Sequence, residues 1–208
     1  MPRVLFFDVK PTPQGVAPYL ASAAALKPHL DAIGGCTFID RFKSLEDSRW
    51  LLSHQLWRDE AAMTAWRVHE AHHKTQTKER YEVFEDYRLR VAELLREEEP
   101  GKPAWQASSQ SSYRAREASA KRRLVVTVES TSATFDAPTG LPGKAFESIN
   151  RAGEFIHVIA CEAWEAALEV TENCRIGAPA YRYRICEVDR DYGLHERGEA
   201  PQYYAPKR

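Results

Sequence analysis

Apolar and polar positions in the first part of the chain define a short apolar run followed by a longer helical pattern. Residues 4–9 are mostly apolar and end before two prolines, which predicts a strand. The Ala- and Leu-rich residues 14–33 predict a helix that Pro28 should kink or end, because proline cannot donate the helical hydrogen bond. Gly34 and Gly35 follow, and we interpret them as the helix stop.

The next elements are a predicted hairpin, a second helix and a final strand. Residues 37–42 and 50–57 are predicted strands joined by a polar turn. Asp59 is a suitable N-cap for a helix that runs to about residue 81. Residues 87–91 alternate apolar and charged side chains with a period of two, the pattern of a half-buried strand. The order β-α-β-β-α-β is that of a ferredoxin-like unit.

One segment of the chain occurs twice. Residues 87–94 read YRLRVAEL, and residues 181–188 read YRYRICEV. A second pair lies upstream in the same order, where residues 60–63 read EAAM and residues 165–168 read EAAL. Repeated segments in the same order indicate two copies of one structural unit. We therefore predict an α+β fold in which two ferredoxin-like units pack face to face within one chain.

The second copy is shorter than the first. Its predicted elements are a strand at residues 124–128, a hairpin from residues 145–150 and 154–161, and a short helix at residues 165–174. The reduced spacing between equivalent positions means that the first helix is mostly lost, and that the second has lost about three turns. We expect any functional pocket to lie in the first half, because one short helix covers too little of a sheet to enclose a ligand.

The repeat and the composition divide the chain into four segments. Residues 1–96 are the predicted first domain, and residues 122–190 are the predicted second, shortened domain. Residues 97–121 between them are rich in Glu, Ser, Gln, Lys and Arg, a composition typical of a linker. Residues 191–208 form a predicted C-terminal tail.

Composition narrows the class of protein and its partners. The 208 residues are 43% hydrophobic, which suffices for a packed core, and the formal net charge of −1 gives no reason to expect nucleic acid or an anionic membrane as partner. No apolar run approaches the length of a membrane span, and the first residues do not resemble a signal peptide. The four cysteines form no CxxC pair, so reduced thiols are expected. We therefore expect a cytoplasmic protein.

The second helix of the first copy holds the most distinctive side chains. At 100° per residue, Trp66, His69 and His73 fall on one stripe of the predicted helix, with His72 and Gln76 beside it. Three imidazoles near an indole are suited to acid–base chemistry at neutral pH. The alternative is a polar helix face packed against the linker. His69 and His73 have the i, i+4 spacing of metal ligands, but no third ligand has a recognised spacing, so we predict no metal site.

Several motifs in this order resemble the antibiotic biosynthesis monooxygenase domains of the dimeric α+β barrel superfamily. The resemblance covers most of the first copy and the end of the second. Its motifs are GG at residues 34–35, FIDRF at 38–42, LWRDE at 56–60, the W-x5-H-x3-Q spacing of Trp66, His72 and Gln76, YRLRV at 87–91, and the C-terminal segments 187–193 and 199–204.

The resemblance implies a fold and a class of reaction. Single domains of this family pair through their sheets into a barrel, with a pocket between each sheet and its helices. Here the two copies are expected to form that barrel within one chain, as a pseudo-dimer that leaves room for a further homodimer. Members known to be enzymes include oxygenases of aromatic polyketides that need no metal or flavin, because the electron-rich substrate itself reduces dioxygen. No cofactor is therefore expected.

Other members of the family degrade heme with a Trp, a His and an Asn. This chain departs from that pattern, since its first strand offers Asp8 and Lys10 but no Asn. His72 lies too near Trp66 for the heme-ligating position, and Gln76 occupies the more distant place. Heme degradation is therefore less favoured than oxidation of a small aromatic molecule.

The resemblance and the chemistry of the residues together give a set of candidate site residues. A flat phenolic or quinone-type substrate needs an aromatic surface to stack on, a base for its proton and cations near the developing negative charge. The candidate catalytic residues are Trp66, His72 and His73, and the candidate substrate-binding residues are Arg41, Trp57, Arg58, His69 and Gln76.

Two other interpretations stay open. The barrel holds a small molecule without turnover, or the domain is kept for assembly, with the second copy serving only to close the first sheet. A closed apolar pocket beside Trp66 favours catalysis or binding, whereas a cavity filled by side chains favours assembly. The expected walls of such a pocket are the second helix and the sheet that carries Phe6, Phe38 and Leu56.

Overall fold

The computed structural model of the chain describes residues 1–107, 122–134, 141–177 and 180–201. The first repeat consists of β1 (Arg3–Pro11), α1 (Val16–Ile33), β2 (Cys36–Ser44), β3 (Leu51–Trp57), α2 (Glu60–Val68), α3 (Glu70–Glu82) and β4 (Phe84–Glu98). The rest consists of β5 (Trp105–Gln106), β6 (Leu124–Ser130), β7 (Gly143–Ser148), β8 (Phe155–Cys161), α4 (Trp164–Gly177) and β9 (Ala180–Gly193). None of these helices is long and apolar enough to cross a membrane.

The strands form one closed antiparallel barrel built from two four-stranded halves. The first half has the order β4-β1-β3-β2 and the second has the order β9-β6-β8-β7. Equivalent strands join the halves on both sides, since β2 pairs with β7 and β4 pairs with β9. The short β5 adds to β4 outside the ring. The prediction of two ferredoxin-like units that form an intramolecular α+β barrel is confirmed.

The alternation of side chains along each strand separates the barrel interior from an outer face covered by helices. Phe6, Phe38 and Leu56 belong to the core that fills the barrel interior, together with Phe146 and Val188 of the second half. The sheet that carries the first three of these is the expected pocket wall, and it borders the cavity described below through other residues of the same strands, such as Leu5, Phe7 and Trp57. Both faces of these strands are apolar, so the alternation alone did not show which face the helices cover.

The barrel interior also contains buried charges that are paired. Arg90 donates to Asp8 at 2.8 Å, and Arg184 forms an ion pair with Glu129 from the neighbouring strand. His54 is wholly buried and stacks on Phe6, with ring centroids 5.0 Å apart. Each of these contacts lies within one half. Arg184 also lies over the Phe38 ring of the first half, 5.8 Å from its centre, and this contact joins the two halves in the interior.

Pro28 neither ends nor interrupts α1, which continues to Ile33. The lost hydrogen bond is offset because Leu30 is buried, with 4% of its surface exposed, and anchors the last turn in the core. Gly34 then ends the helix with φ 74° and donates its backbone N–H to the Leu30 carbonyl at 3.3 Å. The prediction of a glycine helix stop is therefore correct, whereas the helix does not end at Pro28.

The predicted second helix is two helices, because the chain breaks at His69 with ψ 130°. A continuous helix would pair the Trp66 carbonyl with the N–H of residue 70. Instead the carbonyl accepts from the His69 N–H at 3.1 Å and from the His72 ring at 2.9 Å. Local side-chain hydrogen bonds of this kind compete with the helix, and the break turns the stripe of histidines away from its predicted arrangement.

The division into four segments stays a prediction. β4 extends two residues past the predicted boundary at residue 96, and β5 places residues 105–106 of the predicted linker on the edge of β4. Residues 108–121 of that linker and residues 202–208 of the predicted tail lie outside the described residues.

Candidate active site

A cavity of about 190 Å³ lies between the outer face of the first half and helices α1, α2 and α3. Its floor consists of side chains from five neighbouring strands. These are Ile39 and Arg41 of β2, Ser53, Gln55 and Trp57 of β3, Leu5 and Phe7 of β1, Tyr87, Leu89 and Val91 of β4, and Arg190 and Tyr192 of β9. The second repeat therefore contributes its last strand to the pocket of the first.

Trp66 and His72 form one wall of the cavity and are held against each other. The indole and imidazole rings stack with centroids 4.2 Å apart and planes inclined by 16°. His72 Nδ1 lies 2.9 Å from the Trp66 carbonyl oxygen, which can only accept, so Nδ1 carries the proton. His72 Nε2 is left as the acceptor and lies 3.5 Å from the side-chain nitrogen of Gln76. The arrangement fixes a neutral imidazole with its basic nitrogen on the Gln76 side.

The burial of His72 decides its charge. Desolvation lowers the pKa of His72 to about 4, and the neighbouring His69 and His73 add to that effect. The imidazole is therefore neutral at physiological pH and available as a proton acceptor, although a weak one. Its low basicity means that it removes a proton efficiently only from a group that is itself acidic or is stabilised as an anion in the cavity.

A chain of hydrogen bonds organises the floor beneath Trp66. The Trp57 indole N–H donates to Gln55 Oε1 at 3.1 Å, and Gln55 Nε2 donates to Ser53 Oγ at 3.2 Å. Trp57 has 1% of its surface exposed and packs against Met63 and Trp66. This end of the cavity thus offers two indoles in fixed positions, suited to holding a flat or compact ring.

Tyr19, Arg41 and Glu79 form a polar region of the wall. The Arg41 guanidinium lies 5.9 Å from the centre of the Tyr19 ring. Burial raises the pKa of Tyr19, and Arg41 only partly offsets the effect. Burial raises the pKa of Glu79 to about 7, against the lowering influence of Ser22 and Arg41. Glu79 is therefore a mixture of neutral acid and carboxylate near neutral pH, and the neutral acid becomes the main form at pH 6.

The segment after β9 covers one side of the cavity. Arg80 of α3 donates to the Tyr87 hydroxyl and to the Leu194 carbonyl, the latter at 3.1 Å. Arg197 also donates to the Tyr87 hydroxyl at 2.9 Å, and Leu194 is fully buried. Tyr87, the first residue of the repeated strand motif, thus fastens the C-terminal segment over the pocket.

The structure gathers some of the predicted site residues and leaves others outside. Arg41, Trp57, Trp66, His72 and Gln76 all line the cavity. Arg58, His69 and His73 are absent from its lining: Arg58 is largely exposed and pairs with Asp59, and His69 packs beside Trp66 and His29. The roles given to these three stay predictions that the geometry does not favour.

Sequence reasoning missed several residues of the wall. Glu79 carried a weak signal, since it is an acidic residue in a helix whose predicted face already held His72 and Gln76. Arg190 and Tyr192 were noted only as part of a C-terminal motif, and nothing in the sequence distinguished Tyr19. Within the described ranges, no three His, Cys, Asp or Glu side chains are grouped as a metal site requires.

Comparisons with known proteins identify the family of this chain. Residues 3–78 match the family model described as antibiotic biosynthesis monooxygenase. The chain is 31% identical over 218 aligned positions to a jasmonate monooxygenase ABM of Pyricularia oryzae, covering 97% of this chain and 98% of that protein. Two of the solved structures it resembles are an aldoxime dehydratase and a Fusobacterium nucleatum putative monooxygenase. The aldoxime dehydratase has a TM-score of 0.48 and 12% identity, and the match covers 90% of this chain and 80% of that one. The putative monooxygenase has a TM-score of 0.44 and 9% identity, and the match covers 98% of both chains. The near full-length match to the curated relative, together with the family match over the first repeat, shows that the chain belongs to the antibiotic biosynthesis monooxygenase family.

Proposed function

We propose that this protein is a monooxygenase that oxidises a small ring-containing molecule in the first-half cavity without a metal or flavin. The observation that carries the proposal is the stacked pair of Trp66 and His72, which places a neutral imidazole beside an indole in the wall of the cavity. Trp57 and Phe7 in the floor, together with Phe84, add further ring surfaces to the lining of the same cavity. A flat phenolic or quinone-type substrate fits this lining best.

The proposed reaction needs little from the protein beyond binding and proton transfer. The rings hold the substrate, and His72 Nε2 accepts its acidic proton, which makes the substrate anion a reductant. The anion passes electrons to dioxygen, and one oxygen atom is retained while the other leaves as water. For an activated ring carbon the balance is CH₂ + O₂ → C=O + H₂O, in which the carbon supplies the four electrons that oxygen gains. The cations of the wall stabilise the negative charge of the substrate anion and of the reduced oxygen during the reaction.

Two substrate classes are consistent with the lining. Aromatic phenols are favoured by the number of ring surfaces and by the chemistry of unaided reaction with dioxygen. The relative from Pyricularia oryzae is named for jasmonate, whose ring is not aromatic. A compact alicyclic ring is therefore the second candidate substrate class for this chain.

A second function deserves a test because His72 is a weak base. Its pKa of about 4 means that a substrate of ordinary phenol acidity would be deprotonated only with help from the surrounding cations. The cavity would then bind its ligand without oxidising it. This alternative predicts ligand binding with no consumption of oxygen.

Oxygen consumption separates these possibilities. The purified protein is mixed with a hydroxyanthrone or with jasmonate, oxygen uptake is followed, and isotopically labelled O₂ is traced into the product. We expect uptake of one O₂ per substrate and one labelled atom in the product. His72→Gln should lower kcat/KM about 100-fold, within the range of a lost general base, and Trp66→Ala should mainly weaken binding.

Matched variants in the second half serve as controls. His157→Gln and Trp164→Ala change the same residue types outside the cavity, so turnover per folded molecule should stay as in the wild type. Circular dichroism confirms that each variant is folded. Binding of either compound without oxygen uptake would support the ligand-holding alternative, and equal loss of activity in His157→Gln and His72→Gln would contradict the proposed role of His72.

A further inference from the structure

The charged residues of the cavity wall are strongly unbalanced in sign. Lys27, Arg41, Arg67, Arg80, Arg190 and Arg197 contribute to the lining, whereas Glu79 is the acidic residue among the residues that line it. Some of this positive charge is already compensated, since Lys27 pairs with Asp31 and Arg190 pairs with Glu60. The positive charge of Arg41 in this wall favours a ligand that carries negative charge.

Arg41 is the cation that a ligand would engage most directly. It projects from β2 into the cavity floor next to Ser53, its register partner on β3. No carboxylate of the described residues forms an ion pair with Arg41, and its Nε is buried without a hydrogen-bond acceptor among them. A guanidinium that lines a cavity without a carboxylate partner is suited to bind the carboxylate of a ligand.

Glu79 does not neutralise Arg41 in mildly acidic solution. It lies near enough for Arg41 to influence its ionisation, but no ion pair between them forms, and Glu79 Oε1 is also buried without a partner among the described residues. Burial holds the pKa of Glu79 near 7, so at pH 6 most molecules carry a neutral acid at this position. Arg41 then keeps its charge for the ligand.

Arg41 and the two indoles of Trp57 and Trp66 lie at different positions along the strands. Arg41 pairs with Ser53, whereas Trp57 lies four residues further along β3, next to Met63 and Trp66. Four residues of a strand span about 13 Å. The cavity therefore presents a cation to one end of a bound molecule and two indoles to the other.

We infer that the substrate carries a carboxylate, which binds Arg41 and orients the ring toward Trp66 and His72. This inference rests on the proposed function and adds the charge class of its substrate. A carboxylate is favoured over a phenolate because it is already ionised at neutral pH, whereas a phenol with a pKa of about 10 is not. The planar guanidinium also matches the two oxygens of a carboxylate.

The test compares acids with their uncharged methyl esters at pH 6. The probes are jasmonate with methyl jasmonate and 1-naphthylacetate with its methyl ester, and binding is measured by calorimetry. The wild type should bind at least one acid about 10-fold or more tightly than its ester. Arg41→Gln should weaken binding of that acid by about 10- to 100-fold, the range of a lost charged hydrogen bond, and leave the ester unchanged. Arg41→Lys should retain part of the preference.

Arg49→Gln is the matched control, because Arg49 is an exposed arginine that pairs with Asp47 and Glu85 away from the cavity. It should bind acids and esters as the wild type does. Equal binding of each acid and its ester, equal weakening of both by Arg41→Gln, or failure of the wild type to bind either acid would overturn the inference. Equal oxygen uptake with an acid and its ester would support the proposed function but contradict the contact between Arg41 and a carboxylate. Acid-selective binding without oxygen uptake would support that contact but contradict the proposed function.

Discussion

The outer faces of the two half-barrels are built from equivalent strands but are covered differently. In the first half, three helices stand over the sheet and enclose a cavity with polar groups in its wall. In the second half, α4 packs directly on the sheet, where Ala167 and Val170 are fully buried against Val126 and Ile185. The same strand pattern thus supports a pocket in one half and a filled core in the other.

The difference lies in the covering helices, because three helices leave a cavity over the first half whereas α4 packs directly on the second. The filled core of the second half even takes Leu95 from β4 of the first repeat. In return, β9 of the second repeat supplies Arg190 and Tyr192 to the cavity. The second half therefore completes one wall of the cavity as well as the barrel. The interpretation in which the second copy only closes the first sheet does not account for this contribution.

The largest expected effect contrasts one residue from each outer face. Ile185→Ala should lower the free energy of unfolding by about 2–5 kcal/mol, because Ile185 is wholly buried and its removal leaves a cavity. Leu89→Ala should cost less than about 1.5 kcal/mol, because Leu89 already borders open space. Urea denaturation of both variants measures the two losses. Equal losses would show that the two faces are equally well packed.

A smaller effect tests how closely α2 approaches the sheet in the first half. Gly35 has φ 84°, and a Cβ built there would lie 2.5 Å from the Cβ of Ala62. Gly35→Ala should therefore lower the free energy of unfolding by about 2 kcal/mol or more, through backbone strain and displacement of α2. Gly34→Ala is the control, because Gly34 has φ 74° but no neighbouring atoms within 4 Å. Thermal or urea melts in which Gly34→Ala is the more damaging change would contradict this account.

The smallest effect concerns the interior that both halves share. Burial, together with the charge of Arg184, holds the pKa of His54 well below its usual 6.5 in the folded state. The unfolded chain binds the proton first, so this residue makes stability fall as pH drops below about 6.5, by at most about 1.4 kcal/mol per pH unit. His54→Phe should remove this dependence while keeping the stack on Phe6. If the free energy of unfolding of the wild type and of His54→Phe falls equally between pH 7 and pH 5, His54 is not the source of the pH dependence.

Local signals in the sequence predicted most elements of the fold. The Asp59 carboxylate accepts from the Ala62 N–H at 2.8 Å, as expected of an N-cap, and Gly34 ends α1. The helix break at His69 escaped prediction because it depends on the His72 ring reaching the Trp66 carbonyl. Periodicity gave the correct helical content but could not show that a side chain would replace a backbone donor.

The candidate site was predictable in part. Trp66, His72 and Gln76 share a spacing that drew attention to them, and the structure places all three on the cavity. Tyr19, Arg41 and Glu79 lie far apart in sequence and meet only because α1, β2 and α3 pack together. No pattern in the chain brings these residues together before the fold does.

The sequence by itself determined that the chain holds two unequal copies of one unit, because the repeated strand motif and the shortened helical segments are local properties. Only the tertiary structure decided which face of each sheet is enclosed by the barrel and which is covered by helices. Phe6 and Phe7 illustrate the reason, since the first fills the barrel interior and the second lines the cavity. Adjacent apolar residues on a strand point to opposite faces, and closure of the barrel assigns each face its environment.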